Sequence, residues 1–262
     1  MHGRERYGRW ALVAGASEGL GAAFAESLAR RGHDLLLLAR RAEVLEALAA
    51  DLRQRYPIEV VTAAVDLSSA DLAAQLPALI AGREVGVLVC NAAFSPLGPF
   101  ARQPPADTQR AVDVNCRSPL TLLHLLIPGM VERGRGAVVL MSSLTAFQGS
   151  PFATVYGATK AFNLALAEGL WAELKPHGVQ VIASCAGATR TPGYLRTVPG
   201  GAPGELEPAQ VAEETLAQLP RGPLVIPGAF NRFASLLMRR LLPRRTTINL
   251  MAAQTRKLRL EP

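Results

Sequence analysis

The sequence predicts a single α/β domain built on a parallel sheet with helices on both faces. Short apolar runs alternate along the chain with amphipathic segments, which is the pattern of such a fold. The apolar runs are nearly continuous, as expected of strands that are buried on both faces. With 262 residues, about half of them apolar, the chain is long enough to bury a large core, and it shows no repeat and no linker.

The elements follow in order. We expect seven strands, at Trp10–Ala14, Asp34–Ala39, Glu59–Val65, Val85–Cys90, Ala137–Ser142, Val179–Cys185 and Leu224–Ile226. Helical periodicity is present at 19–31, 42–55, 70–81, 107–131, 153–174, 208–218, 229–241 and 246–258. Pro119 and Pro128 are expected to bend or end the fifth helix. All of residues 1–262 then form one domain, with a flexible substrate lid at 186–207, rich in Gly and Pro, and a basic helical C-terminal extension at 229–262.

The net charge of +7 is concentrated at one end of the chain. Residues 221–262 hold nine Lys or Arg and one acid, whereas the first 220 residues hold 19 bases and 20 acids. The body is therefore nearly neutral, which disfavours a uniformly basic face for nucleic acid, and we expect no nucleic-acid partner.

Three further features concern compartment and metals. The N-terminus lacks the apolar core of a signal peptide, and no apolar run approaches the ~18 residues of a membrane span. Cys90, Cys116 and Cys185 are odd in number and have no metal-ligand spacing. We expect a reduced, cytoplasmic, metal-free protein in which the cysteines are small buried hydrophobes.

The first strand-to-helix turn, Ala14–Gly21, is rich in glycine. Glycines in such a turn allow a tight bend and close approach of the backbone to a pyrophosphate at the helix N-terminus. Its position between the first strand and the first helix predicts a doubly wound, Rossmann-type domain that binds a dinucleotide. The alternative is a merely structural turn. The loop residues expected to contact the cofactor are Gly15, Ser17, Glu18, Gly19, Leu20 and Gly21.

The end of the second strand predicts which dinucleotide binds. An acid there would hold the ribose 2′-hydroxyl of NAD, whereas Arg40 and Arg41 suit the 2′-phosphate of NADP(H). Arg41 could instead be a solvated residue that opens the next helix. Asp34 stands at the beginning of the strand, so we do not expect it to bind ribose. After the third strand, Asp66 with Leu67 either faces the adenine or caps the following helix.

Tyr156 and Lys160 lie four residues apart in a predicted helix and therefore share one face. A tyrosine has a pKa of about 10, and a nearby ammonium favours the phenolate and lowers that pKa. The pair is a candidate general acid/base. The alternative is an ordinary pair of helix-surface neighbours.

With this pair and the glycine loop in place, the chain resembles the short-chain dehydrogenase/reductase superfamily over nearly its whole length. Further matches fall in the order of the family. They are Asn91 and Ala92 at the Asn-Ala-Gly segment, Asn115 at the helix asparagine, Ser143 at the catalytic serine, and Ala186, Gly187, Thr189 and Thr191 around the nicotinamide. Ala14, Ala93 and Ala186 replace usual family residues, and Glu18 places an acid close to the expected 2′-phosphate.

The resemblance implies an NADP(H)-dependent oxidoreductase that interconverts a carbonyl and an alcohol by hydride transfer. Ser143 would orient the carbonyl, and Tyr156 would donate the proton. Lys160 would lower the pKa of Tyr156 and hold the ribose, while Asn115 would connect Lys160 to solvent through water. Ser143 could instead be a strand-end turn residue, and Asn115 a helix-capping or packing group. The alternative is a non-catalytic NADP-binding redox sensor of the same fold, which has no need of this proton-transfer set.

The substrate is expected to be a hydrophobic ketone or aldehyde. Candidate lining residues from loops at the carboxyl ends of the strands are mostly apolar: Phe94, Leu97, Leu144, Phe147, Phe152 and Tyr194. Arg190 and Arg196 on the lid could meet an anionic substrate or simply be solvated.

The predicted helix 229–241 places Phe230, Phe233, Leu237 and Leu241 on one face. We expect this face to cover the cleft, join the core or form an oligomer interface, and we favour these roles over contact with an anionic membrane. The resemblance also implies a homodimer or homotetramer formed through helices 107–131 and 153–174.

Overall fold

A computed structural model describes residues 3–197 and 201–256 of the chain. Seven parallel strands form one sheet in the order β3-β2-β1-β4-β5-β6-β7. They are β1 (Trp10–Ala14), β2 (Asp34–Ala39), β3 (Val60–Ala64), β4 (Val85–Cys90), β5 (Gly136–Ser143), β6 (Val179–Ala186) and β7 (Leu224–Val225). This confirms the predicted doubly wound α/β domain. The order reverses between β1 and β4, where folds of this kind bind their ligands.

Helices cover both faces of the sheet. They are α1 (Gly3–Tyr7), α2 (Gly19–Arg30), α3 (Ala42–Arg55), α4 (Leu72–Ile80), α5 (Pro105–Val112), α6 (Ser118–Glu132), α7 (Thr154–Leu174), α8 (Pro192–Thr197), α9 (Pro208–Gln218), α10 (Ala229–Leu241) and α11 (Arg244–Thr255). Short 3₁₀ turns lie at Phe100–Arg102, Leu144–Phe147 and Lys175–His177.

The core has two layers, one on each face of the sheet. Alternate strand residues point to opposite faces, so Val13 and Leu37 join one cluster while Leu12 and Leu36 join the other. The first cluster is closed by α2, α3 and α9, and the second by α4, α6 and α7. The sheet is thereby held rigid beneath the loops at its carboxyl edge.

The predicted helix 107–131 is two helices joined by a π-helical turn, Asp113–Arg117. The break precedes Pro119, which stands in the first turn of α6, where its missing N–H costs no hydrogen bond. Pro128 lies inside α6 without ending it. These prolines therefore do not end the helix, and the bend that was the other expectation stays a prediction. Single π turns inside α-helices occur mostly at functional sites, and this one contains Asn115.

The segment 186–207, expected to lack regular structure, contains α8 and a β-bridge between Thr189 and Leu206. Residues 198–200 of that segment lie outside the described residues. So do residues 257–262, which include the predicted end of the last helix at 258 and part of the basic tail.

The exposed face of α10 departs from the expectation of a core helix. Phe230, Phe233, Leu237 and Leu241 are 55%, 65%, 42% and 70% exposed, whereas the buried residues of α10 are the polar Asn231 and Ser235. Asn231 Nδ2 donates to the carbonyls of Gly204 and Pro227, at 2.9 and 3.2 Å, which accounts for the inward polar face. In the described part of the chain, no helix is long and apolar enough to cross a bilayer.

Candidate active site

A cleft of about 580 Å³ opens at the carboxyl ends of the strands. It collects nearly all of the residues that the sequence assigns to the cofactor. Lining residues from that set are Gly15, Ser17, Glu18, Gly19, Leu20, Arg40, Arg41, Asp66, Leu67, Asn91, Ala92, Tyr156, Lys160, Ala186, Gly187, Thr189 and Thr191, with Ser143 beside them. Gly21 and Asn115 do not line the cleft, and we expect them to act by supporting residues that do.

The glycine loop is packed too tightly for side chains. A Cβ on Gly15 would lie 2.6 Å from the Cα of Ala92, and one on Gly21 would lie 1.9 Å from the carbonyl oxygen of Gly15. Gly15 and Gly19 also have positive φ angles of 84° and 59°. Asn91 Nδ2 donates to the Gly15 carbonyl at 2.8 Å and fixes the loop against β4. The exposed backbone at the start of α2 fits the pyrophosphate of a dinucleotide.

Two arginines follow β2, and they differ in their contacts. Arg41 pairs with Glu18 at 2.9 Å and donates to the Ser17 hydroxyl at 3.3 Å. Arg40 is exposed and forms no ion pair or side-chain hydrogen bond with any residue in 3–197 or 201–256. Arg196 also lies 3.8 Å from Glu18, so the Glu18 charge is balanced from two sides. A free guanidinium beside the cleft is therefore available to a phosphate.

Asp34 and Asp66 have structural contacts. Asp34 is buried at the opposite end of β2, paired with Arg9 and accepting from the Glu59 amide at 2.8 Å. Asp66 lines the cleft and accepts from the amide and hydroxyl of Ser68, at 2.9 and 2.7 Å. Because these bonds close a turn that ends before α4 begins at Leu72, the helix-capping alternative for Asp66 is wrong.

The catalytic candidates meet where β5 contacts α7. Ser143 ends β5, and Lys160 Nζ donates to the Met141 carbonyl of that strand at 2.9 Å. The Ser142 hydroxyl donates in return to the Lys160 carbonyl at 2.8 Å. Lys160 is 2% exposed, and burial lowers the pKa of its ammonium to about 8. Its Nζ lies 5.5 Å from the centroid of the Tyr156 ring.

The pKa of Tyr156 differs from the expectation. It is raised above 10, because burial disfavours the phenolate, and the opposing effect is a hydrogen bond with Ser143. The lowered pKa that we expected is therefore not found for the protein alone, because burial outweighs the effects that favour the phenolate. A phenol with a raised pKa keeps its proton at neutral pH, as a proton donor must.

Asn115 is fully buried in the π turn. Its side-chain amide exchanges two 2.8 Å hydrogen bonds with the backbone of Phe94 and donates to the Thr159 hydroxyl at 2.9 Å. Its backbone carbonyl accepts from Asn163 Nδ2 at 3.0 Å. Asn115 thus ties the loop after β4 to α7, and its role in a water relay stays a prediction.

Sequence reasoning missed Asn163. Its amide also lies 3.5 Å from the Met141 carbonyl, the group that holds Lys160. The available signal was spacing, since Asn163 follows Tyr156 by seven residues and Lys160 by three on the buried face of α7. Arg110 and Val114, which also line the cleft, carried no such signal.

The predicted substrate residues are only partly brought together. Phe94 and Tyr194 line the cleft, whereas Leu97, Leu144, Phe147 and Phe152 do not. Leu144 opens the 3₁₀ turn after Ser143, and Phe147 ends that turn in a different pocket. Phe152 has a left-handed backbone with φ 65°, and its ring packs under the Arg256 guanidinium. Phe147 and Phe152 therefore pack elsewhere, although sequence alone assigned them to the cleft.

The cysteines are free, and Cys90 and Cys185 are buried whereas Cys116 is half-buried. Burial raises the pKa values of Cys90, Cys116 and Cys185 to about 12, 11 and 11, so these thiols stay protonated. Within the described ranges, no three His, Cys, Asp or Glu side chains form a group that could hold a metal.

Comparison with known proteins agrees with this geometry. Residues 9–197 match the short chain dehydrogenase family. The chain is 33% identical over 238 residues to a 7beta-hydroxysteroid dehydrogenase of Collinsella aerofaciens, a match that covers 88% of this chain and 90% of that protein.

Two solved structures are similar in fold. One was described in a study of 7beta-hydroxysteroid dehydrogenase stereoselectivity; it has a TM-score of 0.91 and 31% identity, and covers 96% of this chain and 99% of its own. The other is a short-chain dehydrogenase from Sphingobium yanoikuyae in complex with NADPH, with a TM-score of 0.77, 36% identity and coverage of 84% and 87%. The chain therefore belongs to the short-chain dehydrogenase/reductase superfamily and is an oxidoreductase of the nicotinamide-dependent class.

Proposed function

We propose that the protein is an NADP(H)-dependent oxidoreductase that interconverts a ketone or aldehyde and an alcohol on a hydrophobic substrate. The observation that carries the proposal is the meeting of Ser143, Tyr156 and Lys160 at the inner end of a cleft whose outer end presents an unpaired Arg40.

In this reaction the bound nicotinamide supplies the hydride for reduction or accepts it in oxidation. The Ser143 hydroxyl binds the substrate oxygen and turns the carbonyl toward the cofactor. Tyr156 gives its hydroxyl proton to that oxygen as charge develops there. Lys160, fixed by the Met141 carbonyl, places a positive charge beside the phenol and favours the tyrosinate that remains.

The preference for NADP(H) rests on the charges after β2. No acid stands at Arg40 or Arg41. Of the two acids that line the cleft, Glu18 is already paired with Arg41, and Asp66 accepts from the Ser68 amide and lies 3.9 Å from Arg110. A 2′-phosphate would gain a charge-assisted contact with Arg40 and meet no unpaired carboxylate from this loop. The solved NADPH complex of a relative supports this assignment.

An apolar substrate fits the aromatic side chains of the cleft. Phe94 and Tyr194 line it, and Leu195, next to Tyr194 in the sequence, is 41% exposed on α8. The relative's description as a 7beta-hydroxysteroid dehydrogenase supports a bulky, apolar carbonyl compound. In this proposal residues 186–207 act as the lid, and residues 229–262 shape the substrate end.

We also propose a homodimer or homotetramer through α5–α6 and α7. Val112 and Phe162 on these helices are 42% and 37% exposed, and an interface would remove them from water. The free cysteines fit a reducing compartment such as the cytoplasm.

The test is NADPH consumption with a panel of apolar ketones and aldehydes, with NADH in parallel. Tyr156→Phe keeps the ring but removes the proton donor, so we expect it to lower kcat by about 10²–10⁴-fold while NADPH binding is retained. Tyr56→Phe, the same change at a half-buried tyrosine that does not line the cleft, is the matched control and should leave kcat unchanged.

The outcomes separate the alternatives. Tight NADPH binding without turnover of any carbonyl would favour the redox-sensor alternative. Turnover with a preference for NADH would keep the oxidoreductase and reject the assignment of Arg40.

A further inference from the structure

A second pocket of about 310 Å³ lies beyond the catalytic serine, between the turn after β5 and the helices of the C-terminal extension. We call it the distal pocket. It is lined by Phe147, Gln148, Met238, Arg239, Leu242, Arg244 and Thr247. Three of these residues are apolar, two are polar and two are cationic, and none is acidic. The lining therefore suits an anionic group carried on an apolar stem.

The Arg239 guanidinium is held in place without using its hydrogen-bond donors. It stacks on the Phe147 ring, with the guanidinium carbon 4.2 Å from the ring centroid. Stacking fixes the plane of an arginine and leaves the N–H groups at its edge directed outward. No carboxylate in the described part of the chain pairs with Arg239 or Arg244.

Other arginines of this region are already used. Arg232, on the same helix as Arg239, pairs with Glu214 at 2.9 Å and donates to the Ile226 carbonyl at 3.2 Å. Arg190 pairs with both Glu205 and Glu207 at 3.1 Å. Arg239 and Arg244, in contrast, form no ion pair with any described residue; the same holds for Arg240 and Arg245, but these two do not line the distal pocket.

The distal pocket is connected to the catalytic turn. Gln148 Nε2 donates to the carbonyl of Leu144, the residue after Ser143, at 3.2 Å. The 3₁₀ turn Leu144–Phe147 rises by about 2 Å per residue, so Phe147 begins the pocket roughly 8 Å from the serine. Burial raises the pKa of the Cys185 thiol on β6; Ser142, Arg239 and Lys160 act to lower it, and Glu168 acts to raise it.

We infer that Arg239 and Arg244 form an oxyanion-binding subsite for the far end of the substrate, which is an apolar carbonyl compound ending in a carboxylate. This inference rests on the proposed function and deepens it. A substrate whose carbonyl lies at Ser143 would reach the distal pocket with its other end. There a carboxylate would meet the edge of the stacked Arg239 guanidinium and the Arg244 side chain at the first turn of α11.

The experiment compares matched substrates that differ only in this charge. We would use a keto-steroid with a carboxylate-ended side chain and a series of aryl ketones with carboxylate-ended alkyl chains, each beside its methyl ester. For the native protein we expect kcat/KM to be about 10- to 100-fold higher for the acid of the best pair, mainly through KM.

Variants of the pocket arginines test which residues cause the acid-over-ester preference. Arg239→Gln and Arg244→Gln should each reduce the acid-over-ester preference by about 10-fold, because kcat/KM falls much more for the acid than for the ester. Arg239→Lys should restore part of the preference, since it keeps the charge but loses the stacking. Arg240→Gln is the matched control, because Arg240 is an exposed arginine on the same helix that does not line the pocket.

Two results would overturn the inference. One is equal turnover of acid and ester by the native protein, and the other is a loss in the variants that is the same for both. If no pair is turned over, the proposed function fails, and calorimetric binding of acid and ester to the NADPH-loaded protein then decides the inference. Acid-selective binding that Arg239→Gln abolishes would support it, and equal or absent binding would reject it.

Discussion

The two ends of the cleft region are built in different ways. At the cofactor end, backbone atoms and small residues at the sheet edge make the surface, and the contacts are so tight that Gly15 and Gly21 admit no Cβ. At the distal pocket, which we propose as the substrate end, long side chains from α10, α11 and the turn after β5 make the surface. We therefore expect substitutions at the first end to act by steric clash, and substitutions at the second end to act by removing individual contacts.

The difference extends to electrostatics. Around the cofactor end the acid Glu18 is balanced by Arg41 and Arg196, whereas Arg239 and Arg244 have no acidic partner within the part of the chain that the structure describes. Substitutions at the two ends should therefore affect different measurements: the affinity for NADPH at one, and the substrate preference and lid stability at the other.

The largest effect on kcat is expected from a substitution of the buried Lys160. Lys160→Met should lower kcat by about 10³-fold, because it removes the charge beside Tyr156. The same change should raise the free energy of unfolding at pH 7 by up to about 3 kcal/mol, because burial lowers the pKa of Lys160 from 10.5 to about 8.

The sign follows from proton linkage. Between pH 8 and 10.5 the unfolded chain holds a proton on this lysine that the folded protein has lost, so the penalty for burying the charge is complete below pH 8 and fades as pH rises. Denaturant unfolding at pH 7 and pH 10 measures the gain, which should shrink at the higher pH. Lys175→Met, at an exposed lysine just after α7, is the control and should show no such gain. A gain at Lys160 that is independent of pH would contradict the explanation.

The steric character of the cofactor end is tested by Gly21→Ala. The added Cβ would lie 1.9 Å from the Gly15 carbonyl oxygen and would push the loop out of position. We expect the Kd for NADPH to rise by about 100-fold and the protein to lose about 1–3 kcal/mol of stability. Fluorescence titration and thermal unfolding are the measurements.

Gly169→Ala is the matched control. Gly169 lies inside α7, and an added methyl group there would have no neighbouring atom within 4 Å. Alanine should therefore stabilise the helix by about 0.5–1 kcal/mol and leave NADPH binding unchanged. Equal effects of the two alanines on NADPH affinity would refute the close-approach argument.

Charge at the cofactor end is tested by Arg40→Gln. Loss of the unpaired guanidinium should raise KM for NADPH by about 10-fold and leave KM for NADH nearly unchanged. Arg41→Gln should have the smaller effect on NADPH, because Arg41 is already paired with Glu18. The reverse order of the two variants would show that Arg41 holds the phosphate and that Glu18 moves away to release it.

The contrast between the two ends also explains what the sequence could predict. The glycine loop, the ends of β2 and β5, and the Tyr156–Lys160 pair depend on local spacing along the chain, and the structure brings them together as expected. The raised pKa of Tyr156 depends on burial by distant elements, which spacing does not report. Phe152 was misassigned for a related reason, because hydrophobic character alone does not reveal which side of an element faces the cleft. The apolar face of α10 is exposed in the single chain, and its role as an oligomer interface stays a prediction.

The smallest effect is expected at the substrate end, from Asn231→Ala. Asn231 is buried on α10 and donates to Gly204 and Pro227, so it ties the helix to the segment expected to form the lid. Removing the amide leaves two carbonyls without this donor and should lower the free energy of unfolding by about 1–3 kcal/mol. Because the Gly204 segment is held less firmly, KM for the carbonyl substrate should rise a few-fold while KM for NADPH stays constant.

Asn249→Ala, at an exposed asparagine of α11, is the control and should change neither the free energy of unfolding nor KM for the substrate. If Asn231→Ala instead weakened NADPH and substrate equally, α10 would support the whole cleft and the separation of its two ends would not hold.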